Sequence, residues 1–587
     1  MDKLSFDVYL QDPFVAENNL CFGFHTIEIE PDVTLSNGPT STRFVVVDFN
    51  GHTGEIAKPA IWDAKKRQFT SRKKVLDKKH PASERYQYNQ VHVWALAEYA
   101  LAFFEAPQAM GRQLSWGFNG NRLILVPHAG MGKNAYYDRD SKSLQFYYFP
   151  HPDQPDKLVY TCLSADIVNH EFGHAVLDGI RPGFIEGFHE ETGAFHEFLG
   201  DFSAILLLLN HTKFRESLSE SYEGSSGSPL EILGNIAEEF GETVKGQAFL
   251  RSAFNKLTLK EVEGQGVHAV STVLTGACYD ILLKLAAIYI ERIIDRTGKT
   301  SIQVAREAYT YAIQRARRTF LQALDFLPPT DARFRDYAIA VLRNQELADP
   351  LDPHQYRKMM ADVFLKRGIL YKDDMAELFN KERYLFDINN PGIKRFKRVY
   401  EWSRSKRTAY DFIHENRETF CIPPFAEIEI TDVYQSEKMG RQNLLRPRQF
   451  VLEFIWKEEI TLEGDDFPTL DGKKAALICG GTLVFDENNS LLHYVLKPGT
   501  QFSYKPAQAA VLAEGETRKA ALLKALGLTD KTGLAAATLA HPEGFMKFTE
   551  APHRVVEKNG LIHLQFSPHL DLSNHPSTLQ PSWQISF

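Results

Sequence analysis

The chain has 587 residues and a formal net charge of -8, with 43% hydrophobic and 24% charged residues. That length exceeds what a single compact core fills and implies roughly two to four domains. The composition is that of an ordinary globular chain without a dense Lys/Arg block, which speaks against nucleic acid or an anionic membrane as a partner.

The N-terminal stretch "MDKLSFDVYLQDPF" lacks a basic segment followed by an apolar one, so no secretory signal is read and a cytoplasmic location is the expectation, with non-standard export left open. Residues 1–87 read as β-rich: "FHTIEIE" and "TRFVVVDF" have strand composition and "SNGPTS" reads as a loop. "SRKKVLDKKHPASER" reads as a solvated linker. Apolar residues at helical spacing over about 88–112 imply a long buried helix, and "RLILVPHAG" and "LQFYYFP" follow as strands.

From Ser164 to about 345 the pattern is mostly helical. Ser164 is placed to cap a helix ending at Asp178, with Gly179 just past its end and Pro182 barring continuation. Thr192 or Gly193 is expected to begin a second helix through "AFHEFLGDFSAILLLL". Its run "FSAILLLLN" is the longest apolar one and about half of what a bilayer span requires, so no membrane span is expected. The basic, aromatic stretch "GIKRFKRVYEWSRSKR" and then "CIPPF" mark a boundary near residue 400. Beyond it, "AEIEITDVY", "QFVLEFIW" and "LIHLQF" read as strands and "RKAALLKALGL" as a helix, a C-terminal mixed α/β domain over 401–587. His563 and His569 there read as structural. The five cysteines are scattered without a CxxC pair, which suggests reduced thiols in a cytosol.

The stretch "HEFGHAVLDG", residues 170–179, carries the chemistry. Positions i and i+4 share a helix face, so His170 and His174 can aim both imidazoles at one ion, an arrangement that suits zinc. Glu171 sits one step round, where its carboxylate can reach a water beside that ion. Such a motif also arises by chance, so the next segment matters. A catalytic zinc needs a third protein ligand, and "GAFHEFLGDF" offers Glu197, with Asp201 four residues later on the same face. Metal-bound histidines donate their other N–H to a carboxylate, a role open to Asp201 toward His170. An exposed acidic stripe is the competing reading. Phe195, Phe198, Phe202 and Ile205 surround these acids, however, and carboxylates in such company need a partner.

"DIVNHEFGHAVLDG" followed by "TGAFHEFLGDFSA" resembles the thermolysin-type zinc metallopeptidases, the gluzincins with a glutamate third ligand, over roughly residues 88–345. Three more segments extend the resemblance in the family's order. "EGQGVHAVSTVLTGACYDIL" is similar to the segment of the catalytic histidine, which puts His268 in that position and Glu263 in that of the acid orienting it. "FLRSAFN" is similar to the segment with a substrate-binding arginine, here Arg251, and "KNAYYD" to the edge-strand motif, with Asn134 and the Ala135 backbone beside the cleft. Taken singly, His268 reads as readily as a structural histidine, Arg251 as a surface charge and Asn134 as a turn residue.

The resemblance implies an α+β fold: a thermolysin-like two-lobe core, mixed sheet plus helical lobe, over 88–400, flanked by the β-rich N-terminal region and a separate β-rich α/β C-terminal domain. It implies zinc held by His170, His174 and Glu197, a zinc-bound water activated by Glu171, and His268 stabilising the developing oxyanion. Asp201 and Glu263 would orient the histidines. A peptide or protein substrate would lie along Asn134 and Ala135, with Arg251 anchoring a backbone carbonyl. The expected activity is that of an endopeptidase.

Departures from the family keep other readings open. Phe188 stands where counting back from Glu197 places the family's oxyanion tyrosine, which is compatible with a slow or selective enzyme or with a catalytically weak binding or scaffold protein. Leu208 replaces a glutamate of the calcium site that Asp166 would join, so no such site is expected. A gluzincin aminopeptidase would carry a "GxMEN"-type segment, and none is found.

Overall fold

The computed structural model describes residues 3–10, 13, 24–50, 55–69, 82–151, 154–220, 235–236, 251–298, 301–379, 399–501, 509–531 and 553–566. Helices and strands alternate through these segments in an α+β fold with several sheets. Alternating apolar residues put Leu4, Phe6 and Val8 of β1 (Leu4–Tyr9) in the core, and β1 pairs antiparallel with β2 (Phe24–Ile29). A mixed five-stranded sheet follows, built from β3 (Phe44–Val46), β4 (Leu123–Met131), β5 (Ala135–Asp138), β6 (Ser143–His151) and β7 (Gln154–Tyr160). In it β4 runs parallel to both β3 and β6, while β5 and β7 each pair antiparallel with β6.

Helix α1 (Ala82–Glu105) starts earlier than its periodicity suggests and stops at Glu105, two residues before Pro107, which disfavours helix in the residue preceding it. It packs on β1, β3 and α2 (Ala165–Ile180). Helices α3 (Glu190–Asn210), α4 (Val267–Thr297), α5 (Ile302–Leu321) and α6 (Phe334–Ala348) complete the helical body. Three sequence expectations change here, one of them the start of α3, which lies at Glu190 and not at Thr192 or Gly193. Helix α2 runs on to Ile180, with Gly179 inside it. A Cβ at Gly179 would collide with the Ser115 carbonyl, so this glycine allows a close approach and does not end the helix. Helices α3 and α4, of 21 and 31 residues, are both long and apolar enough to cross a membrane, contrary to the reading from unbroken runs. Polar residues such as Glu197 and Asp201 interrupt those runs without lowering the average much. The apolar window of α3 is 100% buried inside the fold and that of α4 61%, which is where their apolarity is used.

A second sheet lies beyond residue 400, in the order β8 (Glu429–Ser436), β9 (Gln449–Thr461), β10 (Lys474–Asp486), β13 (Leu561–Phe566), β12 (His553–Lys558), with β11 (Leu491–Lys497) also pairing on β10. Its own core gathers Trp402, Phe412, Phe454, Trp456, Phe485 and Leu526. Strand β10 was not apparent in the sequence. Buried along nearly its whole length, it has no alternation to betray it.

Two polar clusters join this sheet to the helical body. In the first, Arg181, just past the end of α2, donates to Glu453 Oε1 at 2.5 Å. The Tyr434 hydroxyl lies 3.1 Å from Glu453 and 2.9 Å from Asp325. Asp325 also meets Lys438 Nζ at 2.6 Å and Arg112 at 3.1 Å. Burial works against its charge, but Lys438 and Arg112 hold Asp325 well below the usual carboxylate range.

In the second cluster Glu186, between α2 and α3, accepts from Lys558 Nζ at 2.8 Å and from His563 Nδ1 at 3.1 Å. Burial raises its pKa, but the bonds from His563 and Lys558 outweigh that and bring it from 4.5 down to about 2. A carboxyl whose pKa is depressed on folding stabilises the fold above its unfolded value and loses that contribution as pH falls toward its folded one. Glu186→Gln is therefore expected to lower stability by about 2 kcal/mol at pH 7. In calorimetric melts the gap between parent and variant should close between pH 4.5 and about 2. A gap independent of pH would separate Glu186 from this role.

Candidate metal centre

Helix α2 presents its two histidines on one face, with ring centroids 4.7 Å apart and ring planes at 89°. One ligand atom each from His170, Glu171 and His174 lies within 4.8 Å of the others, and all three residues are buried. Helix α3 crosses α2 where neither carries a side chain. A Cβ on Gly173 would stand 2.9 Å from Gly200 Cα, and one on Gly200 would stand 2.7 Å from the His170 ring. This close crossing brings Glu197 of α3 against both imidazoles. Its Oε2 is 3.6 Å from His170 Nε2 and its Oε1 is 3.6 Å from His174 Nε2. One turn on, Asp201 Oδ1 lies 2.9 Å from His170 Nδ1, which turns Nε2 of that ring toward Glu197. His268, in the first turn of α4, places Nδ1 2.9 Å from Glu197 Oε2. Burial would raise the pKa of Glu197, but His268, His170 and His174 more than reverse this and hold it well below the carboxylate range.

The donor set fits a divalent ion. Ligand atoms around a tetrahedral ion lie about 3.3 Å apart, close to the observed nitrogen-to-oxygen separations of 3.6 Å. Buried imidazoles and carboxylates facing one point are also the groups that a low-dielectric interior tolerates when a cation joins them. Asp201→Asn should weaken metal binding ~10- to 100-fold, as judged by competition with a metallochromic chelator, because His170 loses the carboxylate on its second nitrogen.

Of the residues singled out in the sequence, His170, Glu171, His174, Glu197, Asp201 and His268 come together. Glu263 does not join them. It is exposed after the short Leu259–Val262 turn, and among the described residues no hydrogen bond links it to His268. Glu190 of α3 holds this loop instead, accepting from the Gly264 N–H at 3.0 Å and the Gly266 N–H at 2.8 Å, just before His268. Ala135 opens β5, which packs on α2, and Asn134 directly precedes it. The Ala135 N–H donates to Asn134 Oδ1 at 2.9 Å. Tyr137 and Arg139 both bond to Asp178 near the end of α2 and so fix the strand to the histidine helix. Arg251 begins a two-residue strand paired with Asn235–Ile236, and its side chain lies outside the described residues, as does His569. Phe188 belongs to the second core, with the Arg518 guanidinium 5.7 Å from its ring, so the segment before α3 is turned toward the C-terminal domain.

Sequence reasoning passed over His196. Its imidazole is fully buried, and among the described residues neither ring nitrogen has a hydrogen-bond partner. The ring centroid stands 5.8 Å from that of His174 and 5.5 Å from that of Phe566, and burial pulls its pKa down to about 3, which keeps it neutral.

No protein-family model matches the chain, and no curated protein matches it significantly.

Proposed function

We propose that the chain is a zinc-dependent endopeptidase with a thermolysin-like two-lobe core. The observation that carries this reading is the position of Glu197, on a helix separate from the histidines, with one oxygen toward each Nε2. Glu171 beside this cluster gives it a base that a purely structural metal site does not need.

His170, His174 and Glu197 would hold the ion, and zinc bound there would supply a Lewis acid that acidifies water and polarises a carbonyl. Glu171 accepts the proton of the attacking water and passes it to the departing amine. His268 donates to the carbonyl oxygen as it becomes negative. Asp201 keeps the His170 ring in one tautomer and one orientation. Asn134 and the Ala135 backbone take the peptide as an added strand, the Ala135 N–H exchanging its bond to Asn134 for one to the substrate. Arg251 anchors a backbone carbonyl on the leaving-group side.

The test combines elemental analysis of the purified chain with mass-spectrometric profiling of cuts in a library of end-blocked and free-ended peptides. The Glu171→Gln protein serves as the blank. Bound zinc and internal cuts in end-blocked peptides are expected. Cuts confined to free N-termini would instead make it an aminopeptidase. Zinc with no cut above the blank would leave a metal-containing binding protein.

A further inference from the structure

The side chain of Phe566 brings the C-terminal sheet up to the helix that carries Glu197 in the candidate metal centre. Phe566, at the end of β13, is only 4% exposed, and its ring lies against His196, the residue before Glu197. A Cβ built on Gly193, one turn earlier in α3, would meet Phe566 Cε2 at 3.0 Å and Val267 Cγ1 at 2.9 Å. Val267 directly precedes His268. Phe566, Gly193 and Val267 therefore converge between the helix that carries Glu197 and the helix that carries His268. The strand is anchored there. Glu186 ties the β12–β13 hairpin to the segment joining α2 and α3, and Val451, Val484 and Phe566 of the C-terminal sheet belong to the apolar core of the helical body. The buried imidazole of His196, without a hydrogen-bond partner among the described residues, has its centroid 5.5 Å from this ring and 5.8 Å from that of His174, and so links Phe566 to the histidine helix.

We propose that the C-terminal domain forms one wall of the peptide site and that Phe566 limits which substrate side chain fits beside the scissile bond. The inference rests on the peptidase reading above. A phenyl ring is rigid and cannot withdraw, so it excludes large side chains by contact, and the difference of a single methylene in such a pocket changes relative rates by about 10- to 200-fold.

The experiment compares cleavage profiles of the full-length parent, Phe566→Ala and Phe566→Leu proteins on one peptide library, with zinc content and melting temperature measured for each. The expected result is a shift at one substrate position toward larger residues, ~10-fold or more in relative kcat/KM for Phe566→Ala and smaller for Phe566→Leu, with zinc retained. If the alanine protein does not fold, the leucine protein decides alone. A folded, zinc-containing variant whose profile overlays that of the parent overturns the inference, and so does a uniform slowing across all residues, which would mark Phe566 as structural support. A parent protein that cuts nothing beyond the Glu171→Gln blank overturns the peptidase reading and this inference with it. An active parent with an unchanged variant profile overturns the inference alone.

Discussion

The Glu171→Gln protein is expected to take up as much zinc as the parent and melt at the same temperature, yet cleave peptides at least ~100-fold more slowly and as much as ~10,000-fold. The substitution preserves shape and volume at a fully buried position, so packing is left in place. It removes the capacity to accept a proton, which is the whole of the role assigned to this side chain. The measurement also separates two roles for Glu171. Its carboxylate lies within 4.8 Å of both imidazole donors, close enough to ask whether it ligates the ion itself. A ligand replaced by an amide would lower metal content, whereas a base replaced by an amide would lower turnover alone. Loss of zinc in elemental analysis would therefore reassign Glu171, and full activity would remove it from the chemistry.

Gly200→Ala is expected to reduce metal affinity at least ~10-fold while leaving the far-ultraviolet circular dichroism of the helices intact. The added methyl would stand 2.7 Å from Cε1 and Nδ1 of His170, inside van der Waals contact. The ring can escape only by leaving Asp201, and with that bond goes the orientation of Nε2 toward Glu197. Gly173→Ala should act in the same direction by another route, prising α2 from α3 at their crossing, where its methyl would meet Gly200 Cα at 2.9 Å. Zinc retention after dialysis against a chelator is the readout. Unchanged retention in both variants would mean that the tight crossing does not set the site.

The candidate metal cluster was legible because its parts are written locally. Two histidines four apart on one helix, and two acids four apart on the next, share faces by helical geometry alone, and the surrounding phenylalanines marked those acids as buried. What the sequence does not write locally was missed. The loop before His268 is held at Gly264 and Gly266 by Glu190, which lies 74 and 76 positions earlier in the chain, and no spacing rule links them. Gly179 looked like the residue past a helix end because glycine is favoured there, while its actual reason is the backbone of residue 115. Strand β10 escaped notice because burial on both faces erases the two-residue rhythm by which strands are read. The α+β class followed from the mixture of the two rhythms, whereas the way the C-terminal sheet folds back on the helices depends on long-range pairs such as Arg181 with Glu453, 272 positions apart.

That last pair has a genetic corollary. Severing the gene near codon 400 would strand the Arg181 guanidinium and leave the Asp325 carboxylate with Arg112 alone, in a hollow from which Tyr434, Lys438 and Glu453 had been taken away. Ions left uncompensated in such a place are among the most damaging lesions a fold can suffer, on the order of 3–5 kcal/mol for each pair broken. The histidine helix and the distal sheet are in this sense a single unit of inheritance. Recombination that exchanged one without the other would have to rewrite that handful of codons together.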